Sequence, residues 1–135
     1  GMVLSRDGGT LERILPMFRF GLGGTLGSGT QYWSWITLED MVRVMVFALQ
    51  NDRITGPINI VSPEPVTNAE FTKTLAQLLH RPALFPAPAP ILRLALGEMA
   101  DQLVLASQRV MPKRLLDAGF QHNHQRISEA FEAVI

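Results

Sequence analysis

The stretch from Gly21 to Asp40, GLGGTLGSGTQYWSWITLED, sets the tightest limits on this fold. Five glycines fall in its first nine residues, a Tyr-Trp-Ser-Trp cluster follows, and Glu39-Asp40 then open a helix-periodic run. Glycine lets a backbone turn, or approach another backbone, where a Cβ would clash. On an extended strand Trp33 and Trp35 share one face and Tyr32 and Ser34 take the other. Indoles are costly to leave in water, so one face of this strand belongs to a core. The other face, or the strand's end, is the candidate wall of a ligand cleft.

The glycine loop is not a phosphate cradle. A dinucleotide fingerprint needs G-x-G-x-x-G between a strand and a helix. Gly21 and Gly23 would require a glycine at the position held by Leu26, and the loop follows a helix. No Walker A lysine accompanies it. A connector is the better reading.

Several function classes are excluded by composition. Twelve Lys and Arg balance twelve Asp and Glu, so no electrostatic footprint for nucleic acid or an anionic membrane is present. Cysteine is absent, which rules out disulfides and thiolate metal sites and suits a cytoplasmic protein. The longest apolar run, Ala83 to Leu92, is interrupted by Pro86, Pro88 and Pro90 and is too short to span a bilayer. A length of 135 residues suffices for one real core.

Strand and helix signals alternate. Met2-Val3-Leu4 reads as a strand with no turn before it, which suggests a piece of something larger. Leu11, Ile14, Leu15 and Phe18 follow at helical spacing, with Pro16 as a kink. Thr37 caps the strongest amphipathic helix, whose apolar positions are Leu38, Met41, Val42, Met45, Val46 and Leu49. Ile58 to Val61 reads as a strand, and Thr67-Asn68-Ala69-Glu70 has capping-box form. Ala83 to Pro90 is extended. Ile91 to about Leu105 is helical with a break at Gly97. Pro112 opens a short helix that Gly119 ends, Phe120 to His122 is a further strand, and Ser128 starts the last helix. The class is therefore α/β, with too few strands for a complete doubly wound sheet.

Candidate chemistry is sparse. There is no G-x-S-x-G elbow. His80 sits at a helix end, and His122 and His124 would share a strand face without a third metal ligand. Arg109, beside Gln108, either holds a substrate carboxylate or phosphate or pairs with Glu98 or Asp101.

Together the motifs resemble a family. Gly27-x-Gly29-Thr30-Gln31, followed by Ile36 and Asp40, looks like the C-terminal half of extended short-chain dehydrogenases/reductases, the NAD(P)-dependent sugar epimerases and dehydratases. Gly56-Pro57-Ile58-Asn59-Ile60-Val61-Ser62, leading to Thr67-Asn68-x-Glu70-Phe71, strengthens the match. So do Val3-Leu4-Ser5-x-Asp7-Gly8-Gly9, Leu96-Gly97-Glu98, Gln108-Arg109-Val110-x-Pro112 and Ala118-Gly119-Phe120. They resemble a branch carrying the labels nucleoside-diphosphate-sugar epimerase and cell-division inhibitor. The resemblance implies a C-terminal part of a Rossmann-like fold with a small helical substrate-side subdomain. Residues 1–85 would finish the epimerase-like domain and residues 86–135 would form a small appended one.

The resemblance also says what should be absent. The family's cofactor glycines lie in an N-terminal half, and its catalytic tyrosine and lysine are four residues apart. Tyr32 is the only tyrosine here and position 36 is Ile36, so no Y-x-x-x-K pair exists. No catalytic residue, no metal and no cofactor bound by this chain alone are therefore expected. NAD(P) is implied for a full-length parent, with a small-molecule substrate. The implied substrate-side residues are Gln31, Trp33, Trp35 and Arg109. Trp33 stands where many sugar-nucleotide epimerases carry a diphosphate-binding arginine, which shifts the expected ligand towards an apolar or stacking one. The alternative is a non-enzymatic interaction module. In either case the chain is expected to self-associate through an exposed sheet edge or face, around Met2-Val3-Leu4 and Ile58 to Val61.

Overall fold

The computed structural model describes residues 2–52 and 54–135. Two small sheets organise the chain. Strand β1 (Met2–Leu4) leads to helix α1 (Gly9–Arg19), and the glycine loop then delivers β2 (Tyr32–Trp33) and β3 (Trp35–Thr37). Helix α2 (Leu38–Gln50) follows, then β4 (Val66–Thr67) and α3 (Asn68–Leu79). The C-terminal third holds α4 (Ala89–Leu96), a π-helical turn (Ala100–Val104), α5 (Lys113–Asp117) and α6 (Ile127–Val134). β1 and β3 run parallel, pairing Met2 with Trp35, Val3 with Ile36 and Leu4 with Thr37. Parallel neighbours need a crossover, and α1 supplies it. β2 and β4 pair antiparallel, Tyr32 with Thr67 and Trp33 with Val66. The α/β class and the incomplete sheet match the sequence expectation.

Local chemistry explains the helix starts. The Thr37 hydroxyl accepts the Asp40 N–H at 3.2 Å, and the Thr67 hydroxyl accepts the Glu70 N–H at 3.1 Å. Each thus satisfies a donor that the helix leaves orphaned. Pro16 sits inside α1, on its exposed side, and Leu11, Leu15 and Phe18 face the core. The expected break after α4 falls at Gly97, whose φ of 62° is a left-handed value that ends the helix.

β1 and β3 divide the interior. On one side Leu4 and Trp35 join Leu11, Phe71, Leu75 and Phe131. Trp33, Phe71 and Phe131 meet edge to face there, with centroids 5.2 and 5.0 Å apart. On the other side Val3 and Ile36 meet Val44, Leu115 and Phe120. Each fully buried large apolar side chain contributes about 2 kcal/mol relative to exposure.

Three expectations are corrected. Ile58 to Val61 joins no ladder; the Ser62 N–H donates to the Trp35 carbonyl at 2.7 Å, tying the segment's end to β3. Phe120 to His122 is likewise not a strand. The third correction concerns α2. Its core contacts come from Asp40 and Val44, with Met41 and Phe47 half-buried. Leu38, Val42, Met45, Val46 and Leu49 face outward, between 43% and 87% exposed. The amphipathic pattern is real, but most of its apolar stripe points away from this chain's own core.

Candidate functional site

The glycine loop is built around backbone contact. Phe85 N–H donates to the Gly23 carbonyl, Ala87 N–H to Thr25 and Gly27 N–H to Ala87, at 2.8 to 3.1 Å. This zips the loop to the proline-rich segment. Gly24 is required by the closeness: an added Cβ would lie 2.3 Å from the Phe85 carbonyl oxygen. The Leu26 peptide is held at both ends, its N–H donating to Asn68 Oδ1 at 2.7 Å and its carbonyl accepting from Gln31 Nε2 at 2.9 Å.

Beyond the loop, β2 is flanked on its second edge by residues 107–110. The Tyr32 N–H donates to Ser107 Oγ at 3.0 Å, and Gln108 N–H donates to the Tyr32 carbonyl at 2.8 Å. The Ser34 hydroxyl donates to the Gln108 carbonyl at 2.9 Å and accepts the Val110 N–H at 2.9 Å. This strap carries the Arg109 guanidinium to 4.9 Å above the Tyr32 ring. A cation over an aromatic face at that range is attracted by the ring quadrupole.

The four residues singled out in the sequence take different places. Arg109 is exposed and reaches β2, over Tyr32, on the face opposite the tryptophans. Asp101, its suggested partner, pairs instead with Arg93 at 3.1 Å. Trp33 is half-buried against Phe71. Trp35 is fully buried, its indole N–H donating to the Glu64 carbonyl at 2.9 Å. Gln31 is buried with its amide clamped on Leu26. Among the described residues a groove of about 650 Å³ runs beside α3 and another of about 250 Å³ lies beside Arg114, and neither is lined by any of the four.

The feature sequence reasoning missed is Asp40. Its fully buried carboxylate accepts from Asn123 N–H at 2.9 Å, His124 N–H at 2.9 Å and Arg43 Nη1 at 3.0 Å. Burial alone would raise its pKa; the two main-chain donors, Arg43 and the nearby His124 outweigh that and hold it below the usual carboxylate value. An acid in a helix's first turn signals only the dipole, so nothing in the sequence tied it to residues 123–124. His124 Nδ1 lies 2.9 Å from the Thr37 hydroxyl. His122 is buried, with Nε2 2.9 Å from the Val61 carbonyl. Burial lowers its pKa, against the opposing pull of that hydrogen bond and of Asp40. The two imidazoles thus bind different structural partners. Among the described residues no group of three or more His, Cys, Asp and Glu side chains is placed to hold a metal, and no helix is long and apolar enough to cross a membrane.

Comparison with known proteins follows the same lines. Residues 87–134 match the model described as "Domain of unknown function (DUF1731)". An epimerase family protein of Mycobacterium leprae is 47% identical over 130 residues, 96% of this chain and 42% of the relative. One from Mus musculus is 39% identical over 136 residues, 46% of its length. The crystal structure of human epimerase family protein SDR39U1 with NADPH superposes with a TM-score of 0.93 at 35% identity, covering 99% of this chain and 45% of that one. The chain belongs to the epimerase family. Within that family it matches the C-terminal part of the fold, and it spans under half the length of the curated relatives above. A second epimerase, the nucleoside-diphosphate sugar epimerase from Corynebacterium glutamicum, superposes with a TM-score of 0.76 at 32% identity over 99% of this chain and 24% of that one.

Proposed function

We propose that this chain is the substrate-side part of a two-part NAD(P)-dependent epimerase- or dehydratase-like protein, cytoplasmic, and inactive without the part that holds the dinucleotide. The outward stripe of α2 carries this reading. A soluble helix normally turns its apolar face to a core. Here five apolar side chains on a 13-residue helix are left at the surface, and Ile58 to Val61, despite its strand-like composition, joins no ladder. Both features suit a sheet and core continued by further chain. The relatives are more than twice as long as this chain's share of them, and the human one is described with NADPH.

Residues 1–85 then complete the cofactor-binding domain, and residues 86–135 form the appended domain that supplies the strap under Arg109. Of the four substrate-side residues, we read Arg109 as the one that touches a small-molecule substrate, a reading supported by its exposure over the Tyr32 ring. Trp33 backs the strand, and Trp35 and Gln31 hold it in position. Arg109 over the Tyr32 ring makes this wall a cation beside an aromatic face, which suits a substrate with a carboxylate or phosphate next to a flat or apolar body.

A second reading rests on the same stripe. As a non-enzymatic module the chain would self-associate at the sheet edge or face around Met2-Val3-Leu4 and Ile58 to Val61, with the stripe of α2 as further apolar surface for a second copy. NADPH titration tests the main reading. The chain alone should bind NADPH no more tightly than the millimolar range of a simple phosphate ester, and micromolar affinity would contradict the reading.

A further inference from the structure

The groove beside α3 is independent of the substrate wall. Residues 69, 72, 73, 76, 77 and 80 recur at helical spacing and give one face of α3. At His80 the chain turns through a left-handed residue, φ 54° and ψ 42°, and Arg81, Pro82 and Ala83 fold back to make the opposite wall. Thr25 of the glycine loop closes one end. Both walls are fixed, because the glycine loop is zipped to residues 85–87 just beyond them.

The groove's charge is one-sided in a chain with no net charge. Lys73 and Arg81 are its charged side chains, with Thr25, Gln77 and His80 beside them, and no acidic side chain lines it. The Arg81 Nε donates to the Arg19 carbonyl at 3.0 Å, which fixes its guanidinium here. The carbonyls at the end of α3 would repel an anion, but those of Gln77 and Ala76 already accept the N–H groups of His80 and Arg81, at 3.2 and 3.1 Å. Side-chain cations therefore set the local potential, over a floor of Ala69, Ala76 and Pro82.

We propose that this groove binds a small phosphorylated molecule, its phosphate between Lys73 and Arg81 and its body along the alanine floor. The groove is open and its floor is apolar beside the two cations, which is why a phosphate ester is inferred and not the bare ion.

Calorimetric titration of the whole chain with inorganic phosphate, pyrophosphate and AMP at physiological salt tests this. AMP should bind saturably with Kd below about 1 mM and more tightly than inorganic phosphate or pyrophosphate; binding of the inorganic ions as tight as that of AMP would overturn the ester. Lys73→Gln and Arg81→Gln should each weaken that binding about tenfold, while Lys113→Gln, a surface cation elsewhere, should not. Lys73 is exposed and makes no described hydrogen bond, so Lys73→Gln keeps the test sound even if losing the Arg81–Arg19 bond disturbs the fold. No saturable heat with any probe to about 10 mM, or equal affinity in Lys73→Gln, would overturn the proposal. Neither outcome depends on Arg109 or on NADPH.

Discussion

The carboxylate of Asp40 accepts the main-chain N–H of His124 at 2.9 Å, from a residue 84 positions further along the chain. With the matching bond to Asn123 it fastens the start of α2 to the segment that leads into α6. Asp40→Asn replaces one acceptor oxygen with an amide donor facing a donor. It should cost about 2–3 kcal/mol, seen as a lower urea midpoint with an unchanged slope. Asp40→Glu, which keeps the charge but overfills the site, should also destabilise.

The same cluster sets the response to acid. The folded pKa of Asp40 is lowered, so its contribution is complete above the unfolded value of about 4 and is lost as pH falls through the lower folded value. His122 is also lowered in the fold. Below about pH 6.5 the unfolded chain takes up a proton that the folded chain resists, so stability falls there first. Melting temperature should thus decline from about pH 6.5 downward and more steeply below about pH 4. His122→Phe should flatten the upper part of that decline and leave the lower part.

Gly24 and Gly97 should separate two kinds of glycine requirement. At Gly24 an added Cβ would meet the Phe85 backbone at 2.3 Å, and backbone cannot step aside cheaply. Gly24→Ala should cost more than about 2 kcal/mol. At Gly97 nothing lies within 4 Å, and only the left-handed φ of 62° resists a side chain. With ψ −136° it lies outside the left-handed helical well, so Gly97→Ala should cost about 1–3 kcal/mol in the same urea titration, from backbone strain alone.

Gln31 and Arg109 should likewise part company. Gln31→Ala removes the donor to the Leu26 carbonyl and should cost about 1–2 kcal/mol. Arg109→Ala removes an exposed cation from the Tyr32 face and should cost under about 1 kcal/mol. Denaturation of both variants checks this. A large loss for Arg109→Ala would make it a structural residue and weaken its place on the substrate wall.

Which parts of this were legible in the sequence follows from how local each signal is. Thr37 and Thr67 were readable as caps because a cap needs only the next three residues. The buried tryptophan face was readable because strand alternation is local too. The direction of α2's stripe was not, since periodicity marks an apolar face without saying what covers it. Arg109 reaching Tyr32, and Asp40 reaching His124, depend on contacts closed across most of the chain, and neither leaves a mark on nearby residues. Ile58 to Val61 has strand composition, but a ladder needs a neighbour as well.

The central claim is that the outward face of α2 is covered by a cofactor-holding part like that of the longer relatives. Mixing this chain with the N-terminal part of the human relative, and following complex formation by sedimentation alongside NADPH binding, tests it most directly. A one-to-one complex that binds NADPH, and that Val42→Glu with Met45→Glu abolishes while the chain itself stays folded, is the predicted result. Failure to form a complex, or a complex indifferent to those two substitutions, would contradict the account.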